Sequence, residues 1–453
     1  MTIATTNPFT GQTLKTFAPH TPDEVEARLE RAVEGFETLR SLSRVDRAAL
    51  LRRAADVTEA RQEDMARLMV LEMGKPITQA RAEAAKCAWV CRHYADHADD
   101  YLADEHVGTD ARESFRRYLP LGPVLAVMPW NFPFWQVYRF AAPALAAGNA
   151  GLLKHASNVP QCALMIEDIF AAAGFPEGAF QTLLIGSEEV EAVLRDTRVR
   201  AATVTGSEPA GSAVARTCGE LIKPTVLELG GSDAFIVMES ADLDAAVATA
   251  VKARCQNNGQ SCIAAKRFIV DAAIYDTFRE RFADALSALT LGDPMEEGTD
   301  IGPLVDTHSA DHLMDQVAAA VDAGGRRVMG AERADGAFVT PGIVEGIPRD
   351  SDPASEEWFG PVAQLYRCEG IEEALRIANA SPFGLGGSIF TENELEMDLA
   401  ADRLEAGATF INSMTASDPR LPFGGIKRSG YGRELAREGI RAFCNIKTVS
   451  RAR

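Results

Sequence analysis

From Gly122 onward, short apolar segments of the chain alternate with stretches of helical spacing. The first series of apolar segments covers residues 124–128, 151–154, 180–185, 201–204 and 225–229. Strands that are apolar along their whole length are buried on both faces, and the helices between them cover those faces. The sequence therefore predicts an α/β fold built on a parallel sheet.

A second alternating series follows over residues 243–411, with predicted strands at 266–270, 387–390 and 408–411. The first hundred residues are mainly helical instead. A capping box at Thr21 with proline at the first helical position opens one helix. Two further helices are predicted over residues 44–73 and 77–102. Segments 114–119 and 443–449 alternate between polar and apolar residues, and we expect them to pair in a small extra sheet.

The composition excludes several classes of partner and site. A net charge of −19 over 453 residues argues against nucleic acid as a ligand. No apolar run approaches the length of a membrane span, and the N-terminal residues lack the pattern of a secretory signal, so we expect a cytoplasmic protein without a membrane partner. The eight cysteines form no CxxC pair and the seven histidines do not cluster with them, so no metal site is expected.

Three separated residues have the side chains that acyl chemistry needs. Cys262 lies on a polar loop next to Gly259, Glu228 ends a predicted strand, and Asn131 lies between aromatic residues and prolines. Together they offer a nucleophile, a base and an oxyanion donor for a covalent thioester. Each has a structural alternative, because a cysteine is often a packed thiol, a strand-end glutamate often forms a salt bridge, and an asparagine often caps a turn.

A dinucleotide site is indicated only weakly by position. No GxGxxG pattern follows any predicted strand. Gly206 and Ser207 lie at a strand-to-helix turn, where free N–H groups and the helix dipole favour a pyrophosphate, although a simple serine cap is the alternative. Lys154 ends a buried strand, where it could reach a ribose or a phosphate or be solvated.

Six ordered motifs make the whole chain resemble the aldehyde dehydrogenase superfamily. They are Pro129-Trp130-Asn131-Phe132-Pro133, Val204-Thr205-Gly206-Ser207, Leu227-Glu228-Leu229-Gly230-Gly231, Gly259-Gln260-Ser261-Cys262, Glu356-Glu357-Trp358-Phe359-Gly360-Pro361-Val362 and Pro422-Phe423-Gly424-Gly425. Within the superfamily, segments 154–163 and 443–449 are most similar to bacterial NADP-dependent succinate-semialdehyde dehydrogenases.

The resemblance implies a Rossmann-type cofactor domain (residues 1–101 and 121–230), an α/β catalytic domain (231–425) and a small β oligomerisation element (102–120 and 426–453) of a homodimer or homotetramer. It implies that Cys262 attacks the aldehyde, that Asn131 and the Cys262 N–H hold the oxyanion, and that Glu228 activates the hydrolytic water. The implied cofactor contacts are Trp130, Asn131, Lys154, His155, Ala156, Ser157, Gly206, Ser207, Leu229, Glu357 and Phe359.

Ser157 and Arg139 predict which nucleotide and which aldehyde are preferred. Relatives that prefer NAD often have glutamate at the position of Ser157, whereas serine can donate to a 2′-phosphate. We therefore expect NADP to be preferred, with some NAD activity tolerated. Arg139 suits an aldehyde with a distal carboxylate, and Ser417 and Arg420 are further candidates for binding it.

Three alternatives remain open at the level of sequence. The same chemistry could act on glutarate semialdehyde or another small aldehyde. A cofactor-independent thiol esterase would need Cys262, Asn131 and Glu228 but no dinucleotide site. A non-catalytic scaffold would need none of the three.

Overall fold

The computed structural model describes residues 3–453. The strands are β1 Ile3–Thr6, β2 Thr13–Phe17, β3 Glu105–His106, β4 Glu113–Pro120, β5 Pro123–Met128, β6 Ala150–His155, β7 Phe180–Thr182, β8 Ala201–Thr205, β9 Thr225–Glu228, β10 Asp233–Val237, β11 Ala265–Asp271, β12 Arg326–Met329, β13 Gly342–Glu345, β14 Val362–Cys368, β15 Phe383–Gly384, β16 Gly387–Phe390, β17 Thr409–Ile411, β18 Ile426–Lys427, β19 Gly430–Tyr431 and β20 Cys444–Arg451.

The helices are α1 Pro22–Ser41, α2 Arg44–Ala60, α3 Gln62–Met73, α4 Ile77–Tyr101, α5 Trp135–Ala147, α6 Pro160–Ala172, α7 Val190–Arg195, α8 Glu208–Glu220, α9 Leu243–Cys255, α10 Tyr275–Ser287, α11 Thr307–Asp322, α12 Asp352–Ser355, α13 Gly370–Asn379, α14 Glu394–Arg403 and α15 Ala436–Arg441, with a short 3₁₀ turn at Gln256–Gly259. Among these helices none is long and apolar enough to cross a membrane.

The first large sheet has the strand order β19-β9-β8-β5-β6-β7. All its pairs are parallel except β19 with β9. The chain runs outward from β5 through β6 to β7 and then returns to the other side of β5 for β8 and β9. The carboxyl ends of β5 and β8 therefore flank a topological switch point, which is where open α/β sheets bind ligands.

The second large sheet has the order β12-β13-β14-β11-β10-β16-β17 and is parallel apart from β12. Each sheet separates two apolar clusters. In β10, for example, Ile236 packs on one side and Phe235 and Val237 pack on the other. The predicted α/β class with sheets covered on both faces is confirmed.

The predicted pairing of two distant segments is also present. Strand β4 pairs antiparallel with β20 along its whole length, and β3 completes this small third sheet. The division into three domains stays a prediction, and β19, from the segment assigned to oligomerisation, adds to the edge of the first sheet beside β9.

The helical N-terminal region differs from its prediction in one place. The capping box at Thr21 forms as expected. The single helix predicted over residues 44–73 is instead two helices, because the backbone leaves helical geometry at Arg61, which joins α2 to α3. No proline or glycine marks this break, so the sequence pattern runs through it without interruption.

Helix α5 is buried along its full length from Trp135 to Ala147. A helix that is enclosed on every side normally contains only apolar residues. This helix nevertheless includes Gln136 and Arg139, so both polar side chains must find partners inside the protein.

Candidate active site

The loop that carries Cys262 has an unusual backbone. Asn257, Asn258 and Gly259 follow α9 in succession with positive φ angles of 55°, 58° and 75°. Asparagine and glycine tolerate this left-handed region best, and a Cβ on Gly259 would lie 2.3 Å from the carbonyl carbon of Gly360. The Asn258 side chain anchors the loop by donating to the carbonyls of Gly74 and Pro303, both at 2.9 Å. The strained turn therefore has a fixed position, as functional loops often do.

Cys262 lies where two cavities meet. One cavity, of about 220 Å³, lies at the switch point and is lined by seven of the eleven residues predicted to contact a cofactor. The other, of about 490 Å³, is lined by residues of α4, α5 and α9 and by the segment that contains Ser417. Cys262 and Gln136 line both cavities. A molecule in either cavity can therefore approach the same sulfur atom.

Burial determines the protonation state of the Cys262 thiol. It raises the pKa of Cys262 to about 12, although the positive charges of Lys266 and Arg139 oppose the shift. The Lys266 ammonium is fully buried, and it donates to the carbonyls of Ser261 and Cys262 at 2.6 and 2.7 Å. The resting side chain is therefore the neutral thiol at neutral pH, and it must lose a proton before it can attack.

Asn131 is fixed in an orientation that suits an oxyanion donor. Its Nδ2 donates one hydrogen to the Gln260 carbonyl at 3.1 Å, and its Oδ1 accepts from Gln136 Nε2 at 3.1 Å. The second Nδ2 hydrogen remains available. Within residues 3–453 the backbone N–H of Cys262 also has no acceptor. Gln136, which the sequence motifs did not single out, thus determines which face of the Asn131 amide meets the cavity.

Glu228 ends β9 as a buried carboxyl group. Neither of its oxygens has a hydrogen-bond partner in the described chain. Burial raises its pKa well above the usual range, and the nearby Glu434 adds to the shift, while Arg139 and Arg433 oppose it. A Cβ on Gly424 would lie 2.5 Å from Glu228 Oε1, so the glycines of the Pro422 motif leave space for this carboxyl group.

Arg139 does not present the free guanidinium that binding a substrate carboxylate would favour. It lines the larger cavity but forms a buried ion pair with Glu434, and its Nη2 donates to Thr205 Oγ1 at 3.3 Å. Glu434 follows β19, 295 positions away in sequence, so the motifs gave no indication of it. Any role of Arg139 in substrate binding stays a prediction, and its first partner is Glu434.

The smaller cavity gathers residues from the carboxyl ends of three neighbouring strands. Trp130 and Asn131 follow β5, Gly206 and Ser207 follow β8, and Leu229 follows β9. Glu357 and Phe359, from the segment between α12 and β14, complete the lining. Phe359 makes an edge-to-face contact with Trp130, with ring centroids 5.8 Å apart, and Glu357 forms an ion pair with Lys266 at 3.2 Å.

These residues fit a dinucleotide. The space around the Gly206 Cα is open, since a Cβ there would meet nothing within 4 Å. Ser207 precedes the thirteen-residue helix α8 without capping it through its side chain. The first N–H groups of α8 and its dipole therefore remain available to a phosphate.

The end of β6 carries four of the residues predicted to contact the cofactor, and that role stays a prediction. Lys154 is buried and, within residues 3–453, its ammonium has neither an ion-pair partner nor a hydrogen-bond acceptor, while burial lowers its pKa. Ser157 and Ala156 lie next to it on the same edge, beside a narrow cleft. His155 requires a correction, because its imidazole points inward and meets the carbonyls of Met128 and Pro133 at 3.2 and 2.8 Å. Its ring is therefore not available as a cofactor contact.

Ser417 also lines the larger cavity. The Ser417 Oγ accepts from Lys86 Nζ at 2.9 Å and from Trp135 Nε1 at 3.0 Å. Arg420 requires a correction as a cavity residue, because it is exposed, does not line the cavity, and pairs with Asp418 at 2.6 Å. Lys86 was absent from the sequence-predicted site, because one lysine in an alanine-rich helix has no local signal. Within residues 3–453 no cluster of side chains could hold a metal ion.

Comparison with known proteins gives consistent matches over the whole chain. Residues 1–449 match the model of the Aldehyde dehydrogenase family. The chain is 55% identical over 451 residues to a "Probable succinate-semialdehyde dehydrogenase [NADP(+)]" of Synechocystis sp., and 56% identical over 454 residues to the "Succinate-semialdehyde dehydrogenase [NADP(+)]" of Mycobacterium leprae, with 99% of each chain covered. The crystal structure of succinic semialdehyde dehydrogenase from Streptococcus pyogenes in complex with NADP+ superposes with a TM-score of 0.97 at 37% identity, with 100% of each chain covered.

Proposed function

This chain belongs to the aldehyde dehydrogenase family, and on that basis we propose that it oxidises succinate semialdehyde to succinate with NADP+. One observation carries the proposal: Cys262 lies at the junction of the dinucleotide-type cavity and a second cavity that contains buried cationic side chains. The names of the relatives that share more than half of its sequence support the same substrate and cofactor.

The first half of the reaction takes place at Cys262. Its sulfur forms a bond to the aldehyde carbon as the carbonyl π bond opens onto the oxygen, and the thiol proton passes to solvent water. The oxygen of the resulting thiohemiacetal accepts from the free Nδ2 hydrogen of Asn131 and from the Cys262 N–H. One such donor contributes about 3 kcal/mol to the stabilisation of an oxyanion. NADP+ held in the smaller cavity by Ser207, Glu357 and Phe359 would supply the hydride acceptor, and loss of the aldehyde hydride to it would leave a thioester on Cys262.

The second half of the reaction requires a base. Glu228 takes a proton from a water molecule, and the water oxygen attacks the thioester carbon. The products are the carboxylic acid and the free thiol. The buried carboxyl group of Glu228 has no competing hydrogen bond, so a water molecule can become its partner. Burial raises the pKa of Glu228, so its ionised carboxylate is a stronger base than that of an exposed glutamate.

Cofactor preference follows from the end of β6. Lys154 provides a buried positive charge that has no partner within the described residues, and Ser157 provides a hydroxyl donor. Both complement a 2′-phosphate, whereas a carboxylate in place of Ser157 would repel it. We therefore expect NADP to be preferred over NAD.

For the same protein we propose a homodimer or homotetramer that assembles through the small sheet. Most side chains of β20 are exposed, and Ile446 is 59% exposed. A sheet edge with an exposed apolar side chain is suited to pairing with a second copy. We also expect a reducing compartment such as the cytoplasm, because all eight cysteines are free thiols.

The function is tested by steady-state formation of NADPH or NADH with the purified protein. The substrates are succinate semialdehyde, glutarate semialdehyde and butanal, a neutral aldehyde with the same number of carbons as the first. We expect the highest kcat/KM for succinate semialdehyde with NADP. Equal values for the two nucleotides would refute the cofactor assignment, and a preference for butanal would refute the substrate assignment.

An esterase assay without nucleotide addresses the alternative class. The open space at Gly206 and the unpaired Lys154 favour the dehydrogenase, because ester hydrolysis needs neither. Ester turnover that exceeds aldehyde oxidation would favour the esterase.

A further inference from the structure

Lysine and arginine side chains line the larger cavity, but most of them are already neutralised or lie at the rim. Lys75 forms a buried ion pair with Glu83, whose Oε1 also accepts from two N–H groups at the start of α5. Arg139 is paired with Glu434. Lys252 is exposed. These side chains leave little uncompensated positive charge inside the cavity.

Lys86 differs from these residues. Its ammonium contacts the Ser417 hydroxyl at 2.9 Å and lies 4.3 Å from the centre of the Trp135 ring, and within residues 3–453 it has no carboxylate partner. The nearby acidic residue, Asp418, is bound by Arg420 through two contacts of 2.6 and 2.9 Å. Because Asp418 is already bound by Arg420, it does not neutralise Lys86, whose positive charge stays uncompensated.

The hydrogen bonds at Ser417 also favour an anion beside Lys86. A serine hydroxyl has two acceptor sites and one hydrogen to donate. Lys86 and Trp135 together occupy both acceptor sites of Ser417 Oγ. The O–H must therefore donate elsewhere, and the remaining N–H groups of Lys86 also need acceptors. All the unused hydrogen-bonding capacity of this cluster consists of donors, which is the arrangement that binds an anion.

We propose that Lys86 determines the preference for an aldehyde with a distal carboxylate, by binding that carboxylate with its ammonium while the Ser417 hydroxyl donates a second hydrogen bond. The proposal rests on the function proposed above and assigns the main charge recognition to Lys86 rather than to Arg139 or Arg420. Trp135 positions Ser417, and its ring restricts the movement of the lysine side chain.

The electrostatics of Lys86 give the proposal a pH signature. Burial lowers its pKa to about 8, and Arg139 on α5 adds to the decrease, while Cys87 and Glu83 on its own helix and Asp418 in the adjoining segment oppose it. A substrate carboxylate stays ionised far above pH 5. The attraction is therefore complete below the pKa of Lys86 and is lost as the pH rises through it.

The test compares kcat/KM for succinate semialdehyde with kcat/KM for butanal, because the ratio cancels the thiol chemistry that both substrates share. Lys86→Met removes the charge and keeps the length. We expect it to reduce the ratio about 10- to 100-fold, which is the range of a charge-assisted hydrogen bond. Lys86→Arg should retain most of the ratio. Lys252→Met, which removes an exposed lysine at the rim, is the matched control and should change the ratio less than about twofold.

The same ratio is then measured from about pH 7 to about pH 10. The wild-type ratio should fall as the pH passes about 8, and Lys86→Arg should remove this fall because guanidinium stays charged. A merely structural role for Lys86 would lower kcat/KM for both aldehydes and leave the pH profile of their ratio unchanged.

Two results would overturn the proposal. One is an unchanged ratio in the Lys86→Met variant. The other is an equal decrease of the ratio in Lys86→Met and Lys252→Met, which would indicate that the overall positive charge around the cavity, and not Lys86 itself, attracts the substrate. If the wild-type protein itself does not prefer succinate semialdehyde to butanal, the function proposed above fails first. A wild-type preference that survives in Lys86→Met defeats this inference alone.

Discussion

Replacing Glu228 with glutamine should separate the two halves of the proposed reaction. Both oxygens of Glu228 are buried without a protein partner, and the neighbouring carboxylate, Glu434, is held by Arg139. Glu357, a carboxyl group that lines the smaller cavity with Cys262, is paired with Lys266 at 3.2 Å. Loss of a general base typically slows a step 10²- to 10⁴-fold, which corresponds to about 3–5.5 kcal/mol of activation free energy.

The assay is a stopped-flow measurement of NADPH absorbance after mixing the Glu228→Gln variant with NADP+ and succinate semialdehyde. We expect a burst of about one NADPH per active site, followed by a steady state that is slower by the factor above. A steady state that matches the wild type would refute the role of Glu228 as the base. A burst that disappears together with the steady state would show that Glu228 is needed before the thioester forms.

The raised pKa of Glu228 also predicts two pH effects. Only the ionised carboxylate can act as the base. Thioester hydrolysis in the wild type should therefore accelerate as the pH rises through the raised pKa of Glu228, and the Glu228→Gln variant should show no such acceleration. In the folded protein the carboxyl group holds its proton more tightly than in the unfolded chain. The stability that it contributes is therefore present below the unfolded value of about 4.3 and declines as the pH rises through the folded pKa. The wild type should thus lose thermal stability relative to Glu228→Gln over that range.

Three further substitutions or modifications test other parts of the site. Ser157→Glu should lower kcat/KM for NADP about 100-fold and leave NAD less affected, because the new carboxylate repels the 2′-phosphate; similar losses for both nucleotides would contradict this. Arg139→Met should destabilise the protein by about 3–5 kcal/mol in denaturant melts, since it leaves Glu434 buried without its partner, and adding Glu434→Gln should recover part of the loss. The rate at which iodoacetamide alkylates Cys262, measured by peptide mass spectrometry, should rise steadily up to about pH 10, because burial raises the pKa of the thiol to about 12. A rate that reaches a plateau near pH 8 would contradict this raised pKa.

Local sequence patterns predicted the five parallel strands of the first sheet and three strands of the second, because buried parallel strands are apolar throughout. They gave no separate prediction for β10, β13 or β14. They did not predict the break at Arg61, where no proline or glycine occurs. They also did not predict the β1–β2 hairpin, whose second strand is largely exposed.

The motifs that predict Cys262, Glu228 and Asn131 as catalytic residues are local as well, which is why these three candidates could be proposed from sequence. The side chains that control their charge and orientation come from distant parts of the chain. Glu434 forms an ion pair with Arg139, and Lys86 donates to Ser417, which lies 331 positions away in the sequence. A single sequence contains no record of such long-range pairs, so Gln136, Glu434 and Lys86 emerge only when the helices are placed in space.

The most direct test of the account is mass analysis of the Glu228→Gln variant after incubation with NADP+ and succinate semialdehyde. Slow hydrolysis should let the thioester accumulate, so we predict a mass increase of one succinyl group on the peptide that contains Cys262. The adduct should require the nucleotide and should be absent in Cys262→Ser. A succinyl group on any of the other seven cysteines, or steady formation of NADPH by the Cys262→Ser variant, would contradict the claim that Cys262 carries the reaction.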